Sequence, residues 1–118
     1  MNIITQEYYH GVVVEIRGQY LGSKGGDQFM DTLDTLSESG KKQVVVDLSR
    51  TDLMDSTALG ILISGRARMR AAGGDLRLAG LEKRIRGLFL MTHLLGQVFD
   101  DFPSLDAALE SYAQGAVN

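Results

Sequence analysis

The chain has 118 residues, 44% of them apolar, with no cysteine and a formal net charge of −3. That length supports one domain with a substantial core, and the absence of thiols excludes disulfides, thiolate metal sites and thiol catalysis. The negative charge, with no aromatic residues interleaved among the arginines of the second half, argues against nucleic acid as a partner.

Ile3 to Tyr9 reads as a short strand, His10-Gly11 as a tight turn, and Val12 to Arg17 as a second strand closed by Gly18. From Asp27 the apolar spacing becomes helical, with Phe29, Leu33 and Leu36 on one face and Gly40 as the stop. Val44 to Leu48 is an unbroken apolar, β-branched run, the pattern of a strand covered on both faces. A helix follows from Thr57 to about Ala72, with Ala58, Ile61, Leu62, Gly65 and Met69 inward and Gly73-Gly74 ending it.

Asp75 to Gly80 alternates as a strand, and Ile85, Leu88, Phe89 and Thr92 form another helical stripe ending near Leu95-Gly96. Gln97-Val98-Phe99 is the candidate closing strand, and Pro103-Ser104 opens a last helix bearing Leu105, Ala108, Leu109 and Tyr112. This order predicts an α/β fold: a mixed sheet with an antiparallel entry and a parallel core, and about four helices mainly on one face. Val44, Val45, Val46, Leu48, Leu59, Leu62, Leu78, Ile85, Leu88 and Leu109 are expected to share one core. Arg66, Arg68, Arg70, Arg77, Lys83, Arg84 and Arg86 outnumber the nearby acids and read as solvated helix faces.

Met1 to Glu7 has no basic segment ahead of an apolar one, and no apolar run approaches a membrane span, so a cytoplasmic location without membrane insertion is expected. His10 and His93 lack metal-ligand spacing. Gly18 to Lys24 has too few residues between its glycines for a phosphate loop, and no nucleophile elbow is present. Neither an enzyme, nor a metal, nor a cofactor is expected.

The informative junction is Met54-Asp55-Ser56-Thr57, where the buried strand gives way to a helix. Ser56 there has two readings on spacing alone: an N-cap for the helix, or a hydroxyl placed for anion chemistry beside free N–H groups. Asp52 and Asp55 are explained by capping and the helix dipole.

Asp47 to Gly60, centred on Met54-Asp55-Ser56-Thr57-Ala58-Leu59-Gly60, resembles the signature of STAS domains, the sulfate-transporter and anti-sigma-factor-antagonist family. The likeness continues through Gly73-Gly74-Asp75 and Phe89-x-x-Thr92-x-Leu94, so it implies a single STAS domain over residues 1–118. It further implies a stand-alone anti-sigma-factor antagonist, a switch that sequesters an anti-sigma factor or serine kinase until its serine is phosphorylated. A serine/threonine phosphatase reverses the modification. By position that serine is Ser56, with Thr57 secondary, and the partner surface comprises Asp52, Asp55, Ser56, Thr57, Leu59 and Gly60. Where many such antagonists have Gly-Glu-Leu-Asp, this chain has Gly18-Gln19-Tyr20-Leu21, which suggests apolar partner contacts through an exposed Tyr20 and Leu21. The alternative is an adaptor subunit of a lipid-transport or signalling assembly that is never phosphorylated. Either role is compatible with a homodimer.

Overall fold

The computed structural model describes residues 2–20, 22–93 and 98–117. The chain opens with an antiparallel hairpin of β1 (Asn2–Glu7) and β2 (Val12–Tyr20). Tyr8 and Gly11 close it with backbone hydrogen bonds of 2.8 and 3.4 Å around Tyr9-His10. The remaining elements are α1 (Gly22–Glu38), β3 (Gln43–Asp47), β4 (Thr51–Met54), α2 (Ser56–Ala71), β5 (Asp75–Ala79), α3 (Lys83–Met91), β6 (Asp101–Phe102) and α4 (Leu105–Val117). The sheet order is β1-β2-β3-β5-β6, antiparallel at the first pair and parallel thereafter. The expected mixed α/β architecture is therefore the one observed.

Several elements differ from the sequence reading. β2 does not end at Arg17 but runs on through Gly18, whose φ of 87° a glycine adopts without steric cost. Beyond Glu15 its edge is free of β3, and the unforeseen strand β4 fills that edge. Thr51 Oγ1 donates to the Ile16 carbonyl at 2.7 Å, and the Gly18 amide donates to the Arg50 carbonyl at 3.0 Å. Four residues with polar members carry no readable alternation, so tertiary pairing alone makes this strand.

The closing strand is also displaced. It forms at Asp101–Phe102 against Leu78 and Ala79, whereas the expected segment begins at Gln97, which lies outside the described residues. Phe99 is buried instead as a core anchor, its ring edge-on to Phe89 with centroids 5.8 Å apart. The preceding helix, expected to run to near Leu95-Gly96, ends sooner, at Met91 with Thr92 as its C-cap. Finally, α1 starts at Gly22 rather than Asp27. A Cβ on Gly26 would lie 2.0 Å from Ile61 Cδ1, so the glycine is what lets α1 press against α2.

The single core expected is two cores, because successive strand residues face opposite sides of a sheet. Val14, Ile16, Val44 and Val46 point toward α1, α2 and α3, where they meet Leu33, Leu62 and Phe89. Val13, Val45 and Ala79 point the other way, against Ala108 and Tyr112 of α4. Leu88 and Leu109 are only partly buried. Tyr112 donates its hydroxyl to the Val44 carbonyl at 2.7 Å, and the Arg77 guanidinium lies 4.0 Å above its ring.

Leu62→Ala is expected to cost about 2–4 kcal/mol and Val45→Ala about 1–3 kcal/mol, each leaving a cavity in its own core. Because the sheet separates them, urea denaturation of the double variant should show the two costs adding within about 0.5 kcal/mol. A coupling much larger than that would contradict two independent cores.

Candidate functional site

The parallel strands β4 and β5 and the central β2 all deliver their carboxyl ends to one edge of the sheet, and from that edge α1, α2 and α3 begin. Helix N-termini present unpaired N–H groups, and open α/β sheets collect their ligands at such an edge. At its centre is Asp55, extended at φ −107° and ψ 176°. One carboxylate oxygen accepts from the Ala58 amide at 2.8 Å, and the other accepts from the Gly22 amide at 3.0 Å. A single side chain thus caps α2 and pins the first residue of α1 to it.

The capping role that spacing allowed for Ser56 therefore belongs to Asp55. An N-cap needs an extended backbone and a side chain reaching the amide two or three residues on, and Asp55 meets both demands. Ser56 is instead the first helical residue, exposed, with its hydroxyl in no hydrogen bond to the described residues. Thr57 beside it and Gly60 one turn on are exposed as well.

Asp52 is exposed on β4 for a specific reason. Gly18 pairs with Thr51 and Gln19 with Leu53, so Asp52 has no opposite number on β2 and bulges out of the ladder. The same bulge leaves Leu53 41% exposed. Nothing in the local sequence marks Leu53 as a surface residue.

Two of the expected partner contacts are buried. Leu59 lies inside the core at 3% exposure. Tyr20, expected to be exposed, is fully buried and packs on Phe29 at a centroid distance of 5.8 Å. Since β2 continues past Gly18, Tyr20 shares the inward parity of Val14 and Ile16. Burial, and then the charge of Asp55, push its ionisation well above the ordinary tyrosine value. Its hydroxyl has no hydrogen-bond partner among the described residues. Leu21 lies outside the described residues.

The arginines read as solvated are mostly paired. Arg66, Arg70 and Arg77 converge on Asp75 at 3.9, 3.7 and 3.3 Å. Arg68 grips both oxygens of Asp34, and Arg86 pairs with Asp101. Among the described residues, no three histidine or acidic side chains are grouped to hold a metal ion, and no helix is long and apolar enough to cross a membrane.

Ser56 thus presents an exposed hydroxyl, bonded to none of the described residues, on the first residue of a helix and beside a capping carboxylate at a strand end. The family model described as "Mlab, STAS domain" matches residues 5–98. The chain belongs to the STAS domain family. A curated relative, BtrV of Bordetella bronchiseptica, described as an anti-sigma factor antagonist, is 24% identical over 109 residues, covering 92% of this chain and 93% of its own. Among solved structures, that of the Thermotoga maritima protein TM1081, also described as an anti-sigma factor antagonist, superposes with a TM-score of 0.84 at 15% identity over 94% of each chain. The Bacillus cell fate determinant SpoIIAA in its phosphorylated form gives 0.66 at 18% identity, over 99% of this chain and 100% of that one.

Asp55→Ala, which leaves the Ala58 and Gly22 amides without their acceptor, is expected to lower stability by about 1–3 kcal/mol, against less than about 0.5 kcal/mol for Ser56→Ala. Chemical denaturation of the two variants checks this ordering.

Burial raises the ionisation of both Tyr20 and Tyr112 above the ordinary 10.0. Below that pH both states hold the phenolic protons. Above it the unfolded chain loses them first, so stability should decline as pH rises past about 10. Tyr20→Phe should flatten that decline in denaturation curves recorded between about pH 8 and 11.

Proposed function

We propose that this protein is an anti-sigma-factor antagonist whose partner binding is controlled by phosphorylation of Ser56. Unphosphorylated, it sequesters an anti-sigma factor or serine kinase; phosphorylated, it releases that partner, and a serine/threonine phosphatase resets it. The protein then acts in the cytoplasm as a binding component, not an enzyme, with residues 1–118 working as one domain. The observation that carries the reading is the division of labour at the start of α2. Asp55 does the capping, so the Ser56 hydroxyl is free to be modified without uncapping the helix. The description of BtrV as an antagonist and the solved phosphorylated form of SpoIIAA support the same role.

The partner surface in this reading comprises the exposed Asp52, Ser56, Thr57 and Gly60 and the half-buried Asp55, with Leu59 and Tyr20 supporting it from beneath. Thr57 is the secondary acceptor. A phosphate adds about −1.5 to −2 charges, which the helix N-terminus tolerates within this chain but a complementary partner surface does not. If burying that charge costs the complex ~2–4 kcal/mol, affinity falls by roughly 30- to 1000-fold.

Mass-spectrometric phosphosite mapping of protein purified from its native host should find phosphate at Ser56. Calorimetric titration of the partner recovered with it should show Ser56→Asp binding at least about tenfold more weakly than wild type, and Ser56→Ala binding with undiminished affinity. Absence of phosphate at Ser56 together with equal affinity for Ser56→Asp would reject the switch in favour of an unphosphorylated adaptor.

A further inference from the structure

We propose that the groove between the end of β4 and α3 receives an amphipathic helix of a partner protein, with carboxylates on the flank that meets the start of α3. The groove is lined by Leu53, Met54, Ile85, Leu88 and Met91, has Arg84 at its edge, and encloses about 440 Å³. Its wall is apolar and uncovered at Met91, which is 79% exposed, and at Leu53, which is 41% exposed. A helix laid in such a groove fills it with side chains spaced three and four residues apart.

Charge selects which helix. Of the seven basic residues between Arg66 and Arg86, only Lys83 and Arg84 lack an ion-pair partner among the described residues. Both stand in the first turn of α3, where the helix dipole opposes a cation and where no acidic residue is present to offset it. Glu82 ahead of them makes no capping bond. A carboxylate brought to this point by a partner meets two unpaired cations and the positive end of a helix together.

The groove also reaches the switch. Met54 in its wall is two residues from Ser56, a separation of at most about 7 Å, which is within the screening length of about 8 Å at physiological salt. This part of the inference rests on the phosphorylation reading: a phosphate on Ser56 adds negative charge beside the Met54 wall of the groove and so weakens the docking of a helix that carries carboxylates.

The test uses two synthetic helical peptides of about 18 residues with identical leucine spacing, one carrying glutamates on its flank and the other lysines. Each is titrated into isotope-labelled protein and followed by amide chemical shifts. The glutamate peptide is expected to shift Leu53, Met54, Ile85, Leu88 and Met91, and to bind at least about fivefold more tightly than the lysine peptide. Met91→Glu, at a surface position whose fold is verified by circular dichroism, should weaken it at least about tenfold, and Arg84→Glu should reverse the preference. Equal binding of both peptides, shifts confined to other surfaces, or no binding at all would overturn the proposal. A dimer in sedimentation analysis that Met91→Glu dissociates would overturn it too, by giving the groove to a second copy of this chain. If Ser56 carries no phosphate in the native host, the switch fails while the peptide result still stands. If Ser56 is phosphorylated but neither peptide binds the groove, the groove fails alone.

Discussion

Asp55 is the point at which otherwise separate parts of this protein are made to agree. Its two oxygens take amides from two helices, Ala58 in α2 and Gly22 in α1, the latter 33 residues from Asp55 in the chain. Both helices aim their positive ends at the same carboxylate, so the charge is held by two dipoles as well as two hydrogen bonds. The orientation of α1 across α2 then follows, with Gly26 and Gly65 allowing close approach where a side chain would collide. The first turn of α2 is completed without help from the Ser56 side chain, which stays exposed.

The second constraint lies in the sheet. β2 serves two neighbours in succession along one edge, β3 over its first half and β4 over its last. Between them the chain turns at Ser49-Arg50, and Thr51 ties the turn back to Ile16. This interrupted edge carries the chain past the end of β3 and places Met54-Asp55-Ser56 at the rim rather than beneath it. The bulge at Asp52 turns one carboxylate outward and leaves Leu53 on the surface. A straight continuation of β3 would have hidden both.

How much of this was legible depended on whether the cause was local. The buried strand around Val44–Val46, the helix carrying Leu62, and the placing of Ser56 at their junction follow from apolar spacing and punctuation over a dozen residues. The identity of the cap did not. Asp55, Ser56 and Thr57 are all good capping residues, and the choice among them depends on a backbone amide at Gly22 that sequence distance conceals. Tyr20 was misplaced because a glycine ordinarily marks a strand's end, whereas Gly18 here bends a strand that continues. The division into two cores required knowing that α4 crosses to the face opposite the other helices, which strand parity alone leaves open. Leu53 and Met91 look like core residues by type. Their exposure is decided by a four-residue strand and by the last turn of a nine-residue helix.

α4 is the sole helix among those described that covers the Val13, Val45 and Ala79 face of the sheet. It also follows the other described elements in the chain, so the sheet can be assembled on one side by α1, α2 and α3 while its other side stays bare. The apolar strip at the centre of the sheet is then open to premature contacts until Ala108 and Tyr112 arrive. Tyr112, which reaches across to the Val44 carbonyl, acts as a late latch on an otherwise finished sheet. Until α4 has docked, the chain is in its most adhesive state.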